Sequence, residues 1–223
     1  MSGPPVIRRY QESDKEAILT IAADTAFFGE PVETFLDDRR LFLDIFYRYY
    51  TDQEPHHAWV AWDGGRVVGF LMGCVDTARQ RRFWISTILP QTAWKILNQH
   101  YEIKTKTRVY AWRLVIGMVR NEHTRVNEKI YPAHLHINVA KDWRGQGLGK
   151  GLMRAYLEYL CHNRIPGVHL VTTTLNTAAE RLYARLGFDL LDERPTHLWE
   201  GLVDRPVRNR CYGLRLTQDE LSL

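Results

Sequence analysis

The chain has 223 residues, 45% of them hydrophobic and 25% charged, with a formal net charge of +4 and three cysteines. That composition suits one folded core and excludes a repeat or low-complexity architecture. The mildly basic balance admits an anionic ligand, but without a long Lys/Arg block it does not call for nucleic acid. No stretch has the apolar length that crosses a bilayer, and Met1 to Arg9 lacks the apolar core of a signal peptide. A cytoplasmic or nucleocytoplasmic protein without a membrane partner is therefore expected. Cys74, Cys161 and Cys211 are odd in number and widely spaced, as expected for reduced thiols rather than a disulfide framework or a metal site.

Val6 to Tyr10 reads as a first strand. Asp14 is placed to cap a following helix whose apolar stripe is Ala17, Ile18, Ile21 and Ala22. After Gly29 and Pro31 a second helix is expected from Val32 to Tyr50, with Phe35, Leu36, Leu43, Phe46 and Tyr47 at helical spacing. His57 to Trp62 and Arg66 to Cys74 form a hairpin about the turn Asp63-Gly64-Gly65. The segment from Asp76 to Tyr131 reads as mainly helix, an insertion over about 76–130, with a break at Leu89-Pro90 because proline disfavours a helical residue before it. It could cover an active site or merely enlarge the core.

His134 to Val139 is a strand with Leu135, Ile137 and Val139 on one face and His134, His136 and Asn138 on the other. Arg144-Gly145-Gln146-Gly147-Leu148-Gly149 follows, then a helix from Gly149 to His162. Val168 to Thr173 is a strand, Asn176 to Leu186 a short helix stopped by Gly187, and Phe188 to Asp192 and Arg210 to Leu216 are further strands. Alternating strands and helices imply an α/β sandwich.

The glycine loop joins a strand end to a helix start. Its glycines clear the approach, and the amides of the first helical turn point outward where the helix favours negative charge. Lys150 opposes the helix field there, which makes more sense if an anion also sits at the turn. The spacing differs from the dinucleotide fingerprint, and Gly149-Lys150 is followed by Gly151 rather than Ser or Thr, so it is not a nucleotide-triphosphate loop. A tight turn without ligand stays open on the loop alone.

With the residues downstream, the chain resembles the GCN5-related N-acetyltransferase family. Arg144 to Gly149 matches the family's cofactor motif, Asn176 and Tyr183 look like the family's Asn and Tyr on the next helix, and Gly187-Phe188 looks like its closing pair. Ala26-Phe27-Phe28 and Tyr131-Pro132-Ala133-His134 also resemble acetyltransferase-like domains found with some sugar hydrolases. The resemblance implies one domain over 1–223, with a central mixed, mainly antiparallel sheet, a V-shaped split between two parallel strands, His134–Val139 and Val168–Thr173, and flanking helices.

It further implies acetyl-CoA as acyl donor, no metal, and direct attack by an amine of a small molecule or peptide. The alternative is an inactive CoA-binding or interaction module. A bulge near Asn138 and Val139 would free backbone of Ile137, Asn138 and Val139 for the pantetheine arm. The amides of Gly145, Gln146, Gly147, Leu148, Gly149 and Lys150 would hold the pyrophosphate, with Arg144 and Arg185 as phosphate donors and Asn176 beside the arm. Tyr183 would protonate the leaving thiolate. His136, then His134, are candidates for the base that accepts the amine proton. The acceptor and the choice between monomer and homodimer stay open.

Overall fold

The computed structural model describes residues 4–216; the outermost residues of the expected domain lie outside this range. Seven strands form one sheet in the order β1-β2-β3-β4-β5-β7-β6. They are β1 (Val6–Arg9), β2 (Ala58–Trp62), β3 (Val67–Cys74), β4 (Ala133–Val139), β5 (Gly167–Thr173), β6 (Asp189–Thr196) and β7 (Val207–Arg215). Every pairing is antiparallel except β4 with β5. The helices are α1 (Lys15–Asp24), α2 (Arg39–Phe46), α3 (Arg48–Asp52), α4 (Thr77–Phe83), α5 (Leu89–Leu97), α6 (Thr105–Val119), α7 (Leu148–His162) and α8 (Thr177–Arg185).

Two apolar clusters cover the two faces of the sheet. Ile18, Tyr50, Phe70 and Met72 belong to the first, beneath α1 to α3. Leu71, Leu135, Leu152 and Leu170 belong to the second, beneath α7 and α8. The alternation of β3 and β4 divides their side chains between the two. α7 buries Leu152, Met153, Tyr156, Leu157 and Leu160, each worth about 1.5–3 kcal/mol if fully withdrawn from water. Its docking depends on Gly73, where a Cβ would lie 2.3 Å from the Tyr156 ring. With no side chain there, the Tyr156 hydroxyl comes within reach of the carbonyls of Cys74 (3.0 Å) and His134 (3.1 Å). That contact fixes α7, and with it the glycine loop, relative to β4.

β4 and β5 pair only at Ala133–Val168 and His134–His169. Beyond those residues they part, which is the V-shaped split. The bulge expected at Asn138 and Val139 is absent: the register against β3 is unbroken from Cys74–His134 to Gly69–Val139. Divergence from β5, not a bulge, frees this part of the strand.

Other local readings also change. The helix expected over 32–50 is a 3₁₀ turn (Val32–Thr34), α2 and α3, because Asp38 accepts from Arg40 N at 2.9 Å and starts α2 anew. Asp14 sits at the start of α1 but does not cap it; its carboxylate takes two bonds from Arg8 (2.7 and 2.8 Å) and one from Gln11 N (2.8 Å). Pro90 does not break the chain. Leu89 stays helical, and a π-helical turn over Trp84–Ile88 precedes α5, so the proline falls in the first turn of α5, where its missing N–H matters least.

Candidate active site

The glycine loop enters α7 through Gly145 and Gly147, whose φ angles are +78° and +82°. A side chain at either position would meet nothing within 4 Å. Glycine is there for its left-handed backbone, and open space lies over the turn. The first helical bond runs from Gly151 N to Gly147 O at 3.1 Å. The six amides of Gly145, Gln146, Gly147, Leu148, Gly149 and Lys150 have no acceptor among the described residues. A row of uncommitted donors at the positive end of a 15-residue helix fits phosphate oxygens.

Gly149 has another task. A Cβ there would lie 3.3 Å from Leu182 Cδ2 and 4.0 Å from Ile137 Cδ1, so its smallness brings α8 and β4 close to the loop. Arg144 donates from Nε to Val139 O (3.1 Å) and from Nη2 to Gly29 O (3.4 Å). It ties the end of β4 to the segment after α1, and both contacts are to protein carbonyls. Gln146 Nε2 donates to Asp142 O at 3.2 Å. Lys150 and Arg185 are exposed and have no ion pair among the described residues. Asn176 caps α8 by accepting from Ala179 N at 3.3 Å.

Tyr183 is 5% exposed and packs against Phe188 and Tyr212, with ring centroids 5.8 and 5.7 Å away. Burial pushes its phenol well above the ordinary range, so it is protonated at neutral pH. Its hydroxyl has no bonding partner among the described residues. Nor is it one of the sealed, unpartnered atoms there, which are Glu33 Oε2, Arg154 Nε and Trp199 Nε1. The ring is buried, and the oxygen is not fully sealed.

His134 and His136 lie on the other face of β4, under α3. Thr77 Oγ1 donates to Pro132 O at 2.7 Å and lies 2.6 Å from His134 Nδ1. With the Thr77 hydroxyl proton assigned to its short contact with that carbonyl, His134 Nδ1 is the protonated nitrogen and donates to Thr77. His134 Nε2 then accepts from the Tyr50 hydroxyl at 2.6 Å. The Tyr50 oxygen accepts in turn from His136 Nε2, 3.1 Å away. This polarity leaves His136 Nδ1 as a lone pair with no partner among the described residues. Burial holds both imidazoles neutral: His134 falls well below its ordinary value and His136 to about 4. Asn138, next on the same face, donates to Thr25 Oγ1 at 2.6 Å.

The two histidines are thus brought together, whereas Tyr183 and the amide row lie on the opposite face of the sheet. Tyr50 and Thr77 complete the relay, and neither stands out in the sequence. Tyr50 reads there as the end of an amphipathic helix, Thr77 as the start of another, and both are remote in the chain from His134.

A cavity of about 500 Å³ is lined by Phe28, Leu175, Val203, Asp204 and Arg205, near the end of β5 and the Gly29 segment. A larger one, about 580 Å³, is lined by residues of α1 and α2 with Glu12 and Ser13 and shares no residue with the amide row or the relay. Among the described residues no group of three or more His, Cys, Asp or Glu could hold a metal ion.

The acetyltransferase (GNAT) family model matches residues 17–188. Human N-acetyltransferase 8B is 35% identical over 83 residues, 37% of this chain and 37% of that protein. The matches span about a third of the length of such curated relatives. Among solved structures, SsHAT is 30% identical with a TM-score of 0.73, over 96% of this chain and 98% of that one. YncA from Salmonella typhimurium, solved with its cofactor acetyl-CoA, is 15% identical with a TM-score of 0.56, over 98% of each chain. The latter likeness is one of fold alone.

Proposed function

The chain belongs to the acetyltransferase (GNAT) family, and on that premise we propose that it transfers an acetyl group from acetyl-CoA to an amine of a small molecule or peptide by direct attack. The observation that carries the reading is the row of six uncommitted amides from Gly145 to Lys150, with open space over two of its glycines. These amides hold the pyrophosphate of the donor, and Lys150 adds charge without being tied elsewhere. Arg144 supports the loop through its bonds to Val139 O and Gly29 O. The backbone of Ile137, Asn138 and Val139, left by β5, accompanies the pantetheine arm toward the split, with Asn176 at the start of α8 and Arg185 at its far end. When bound, acetyl-CoA supplies an acyl group activated as a thioester.

The chain's own residues then move protons. His136 Nδ1, held as a lone pair by the chain from Thr77 through His134 and Tyr50, accepts a proton from the amine. An imidazole depressed to about 4 is a weak base toward a free ammonium ion. It suits a nitrogen that becomes acidic as its new bond to carbon forms. Tyr183, protonated and with its hydroxyl uncommitted among the described residues, gives its proton to the departing thiolate. No covalent intermediate on the protein is needed, and no metal is used.

Calorimetry with acetyl-CoA, without added metal, tests the first half of the reading, and release of labelled acetyl onto a panel of amines tests the second. Binding with turnover is expected. A folded protein that fails to bind at about millimolar donor, about −4 kcal/mol, refutes the cradle. Tight binding with no transfer to any amine makes the chain a CoA-binding module instead.

A further inference from the structure

The helical segment between β3 and β4 packs Ile88, Phe83, Trp84 and Tyr110 against the core and also presents large apolar side chains to solvent. Ten of the fourteen large apolar residues exposed among the described residues lie in the stretch 85–119. On α6, Trp112 is 65% exposed, Met118 60% and Val119 83%, with Val115 between them, while the buried residues are Thr107 and Gly117. Arg108, Trp112, Val115 and Val119 follow one another at helical spacing, so this apolar stripe is a continuous outward face. α5 is again apolar on its outward side. Its buried residue is Thr92, while Trp94 and Leu97 are 59% and 81% exposed. Soluble helices direct apolar stripes inward, and contiguous exposed ones mark a contact surface.

The charge of the same segment identifies the partner. Residues 76–130 contain eleven Lys and Arg against four Asp and Glu, a formal charge of +7, whereas the rest of the chain carries −3. Arg79, Arg82, Arg108 and Arg120 are exposed and have no ion pair among the described residues. Arg108 and Arg120 stand at the two ends of the α6 stripe. Such a charge repels a second copy of the same face and attracts an anionic one. Exposed tryptophans with Leu, Val and Met, bordered by arginine, have the composition of helices that lie in a lipid headgroup layer. Among the described residues no helix is long and apolar enough to cross a membrane, so contact would be along the surface.

We propose that α5 and α6 form a peripheral docking surface for anionic lipid bilayers, independent of the acetyl-transfer reading. The sequence-based expectation of no membrane partner rested on the lack of a spanning segment, which does not bear on surface contact.

The test is flotation of the full chain with vesicles of phosphatidylcholine alone and of equal parts phosphatidylcholine and phosphatidylserine, with tryptophan emission read in parallel. Binding to the anionic vesicles, a blue shift, and weakening with added salt are expected. Each of Arg108→Gln and Arg120→Gln should weaken binding roughly fivefold, the equivalent of about 1 kcal/mol per basic residue near the surface. The pairs Trp112→Gln with Val119→Gln, and Trp94→Gln with Leu97→Gln, should each abolish the blue shift. These side chains are solvent-exposed, and an unchanged thermal midpoint confirms that the fold is kept. No partition into either vesicle overturns the proposal. So does binding that survives both apolar pairs. A stable dimer in sedimentation that the same pairs dissociate would assign the face to a second copy. Retention only by an acidic polypeptide would assign it to a protein partner.

Discussion

Removing one oxygen atom should disclose whether the relay sets the state of His136. Tyr50→Phe keeps a ring that is 2% exposed and deletes the hydroxyl bonded to His134 Nε2 at 2.6 Å and to His136 Nε2 at 3.1 Å. Two ring nitrogens then lack partners. A buried polar group left unsatisfied costs about 1–3 kcal/mol. Both histidines are only partly buried by area, so water can restore part of this, and a total loss of about 1–3 kcal/mol in urea unfolding is expected. The sharper readout is the tautomer, seen in long-range proton–nitrogen NMR of the imidazoles. In the unaltered protein His134 should carry its proton on Nδ1 and His136 on Nε2. In Tyr50→Phe, His136 should become a mixture of tautomers, and acetyl transfer at saturation should slow by about tenfold. That is less than the 10²–10⁴ of a general base itself, because Tyr50 orients the imidazole without taking the proton. Thr77→Ser should preserve the tautomers and Thr77→Val should disturb them. A wild-type His136 protonated on Nδ1, or a tautomer and rate unchanged by Tyr50→Phe, refutes the relay.

Gly147→Asp places a carboxylate beside the expected phosphates at a φ of +82°; acetyl-CoA affinity should fall at least about tenfold, about 1.4 kcal/mol, with the circular dichroism spectrum retained, and unchanged calorimetric affinity would place the donor elsewhere. Tyr183→Phe should lower the saturated rate by about 10² while donor affinity stays near normal; equal rates in pre-steady-state transfer across pH would reduce Tyr183 to a packing residue. Stability should also depend on pH. The folded-state pKa of His136 is depressed to about 4 from about 6.5 unfolded, so the unfolded chain binds more protons between those values. Its contribution is complete above about pH 6.5 and is lost as pH falls toward about 4, at most about 3 kcal/mol and less because the ring keeps some exposure. Urea midpoints that do not decline over that window, or that decline equally in His136→Gln, would contradict this origin.

Much of the architecture was legible before any coordinates. The alternation of His134 to Val139 sorted its side chains onto two faces, and the clustered apolar residues of α7 marked a buried helix. Gly145 and Gly147, between a strand and a helix, marked the left-handed turn and its uncommitted amides, since backbone conformation and orphan amides are local properties. Asp63-Gly64-Gly65 specified the hairpin for the same reason. Where the local signal misled, a longer-range contact had won. Asp14 was drawn back by Arg8, Asp38 restarted a helix that periodicity had run through, and a π-helical turn let the chain carry Pro90 without a break. Arg144, which the motif offers as a phosphate donor or a helix-packing residue, is engaged by two carbonyls.

The relay had no sequence signal, because its members are contributed by α3, α4 and β4, over chain separations of 84 residues between Tyr50 and His134 and 57 between Thr77 and His134. The outward apolar faces of α5 and α6 were equally hidden, since periodicity reports that a stripe exists but not whether it turns toward the sheet or away from it. The sheet-and-helix class, the β2–β3 hairpin and the glycine turn into α7 were readable from residues close together in the chain, because interactions within a few residues set them. Only the tertiary structure decided which nitrogen of His136 keeps its lone pair, because that follows from the order of donors and acceptors assembled from three separate elements.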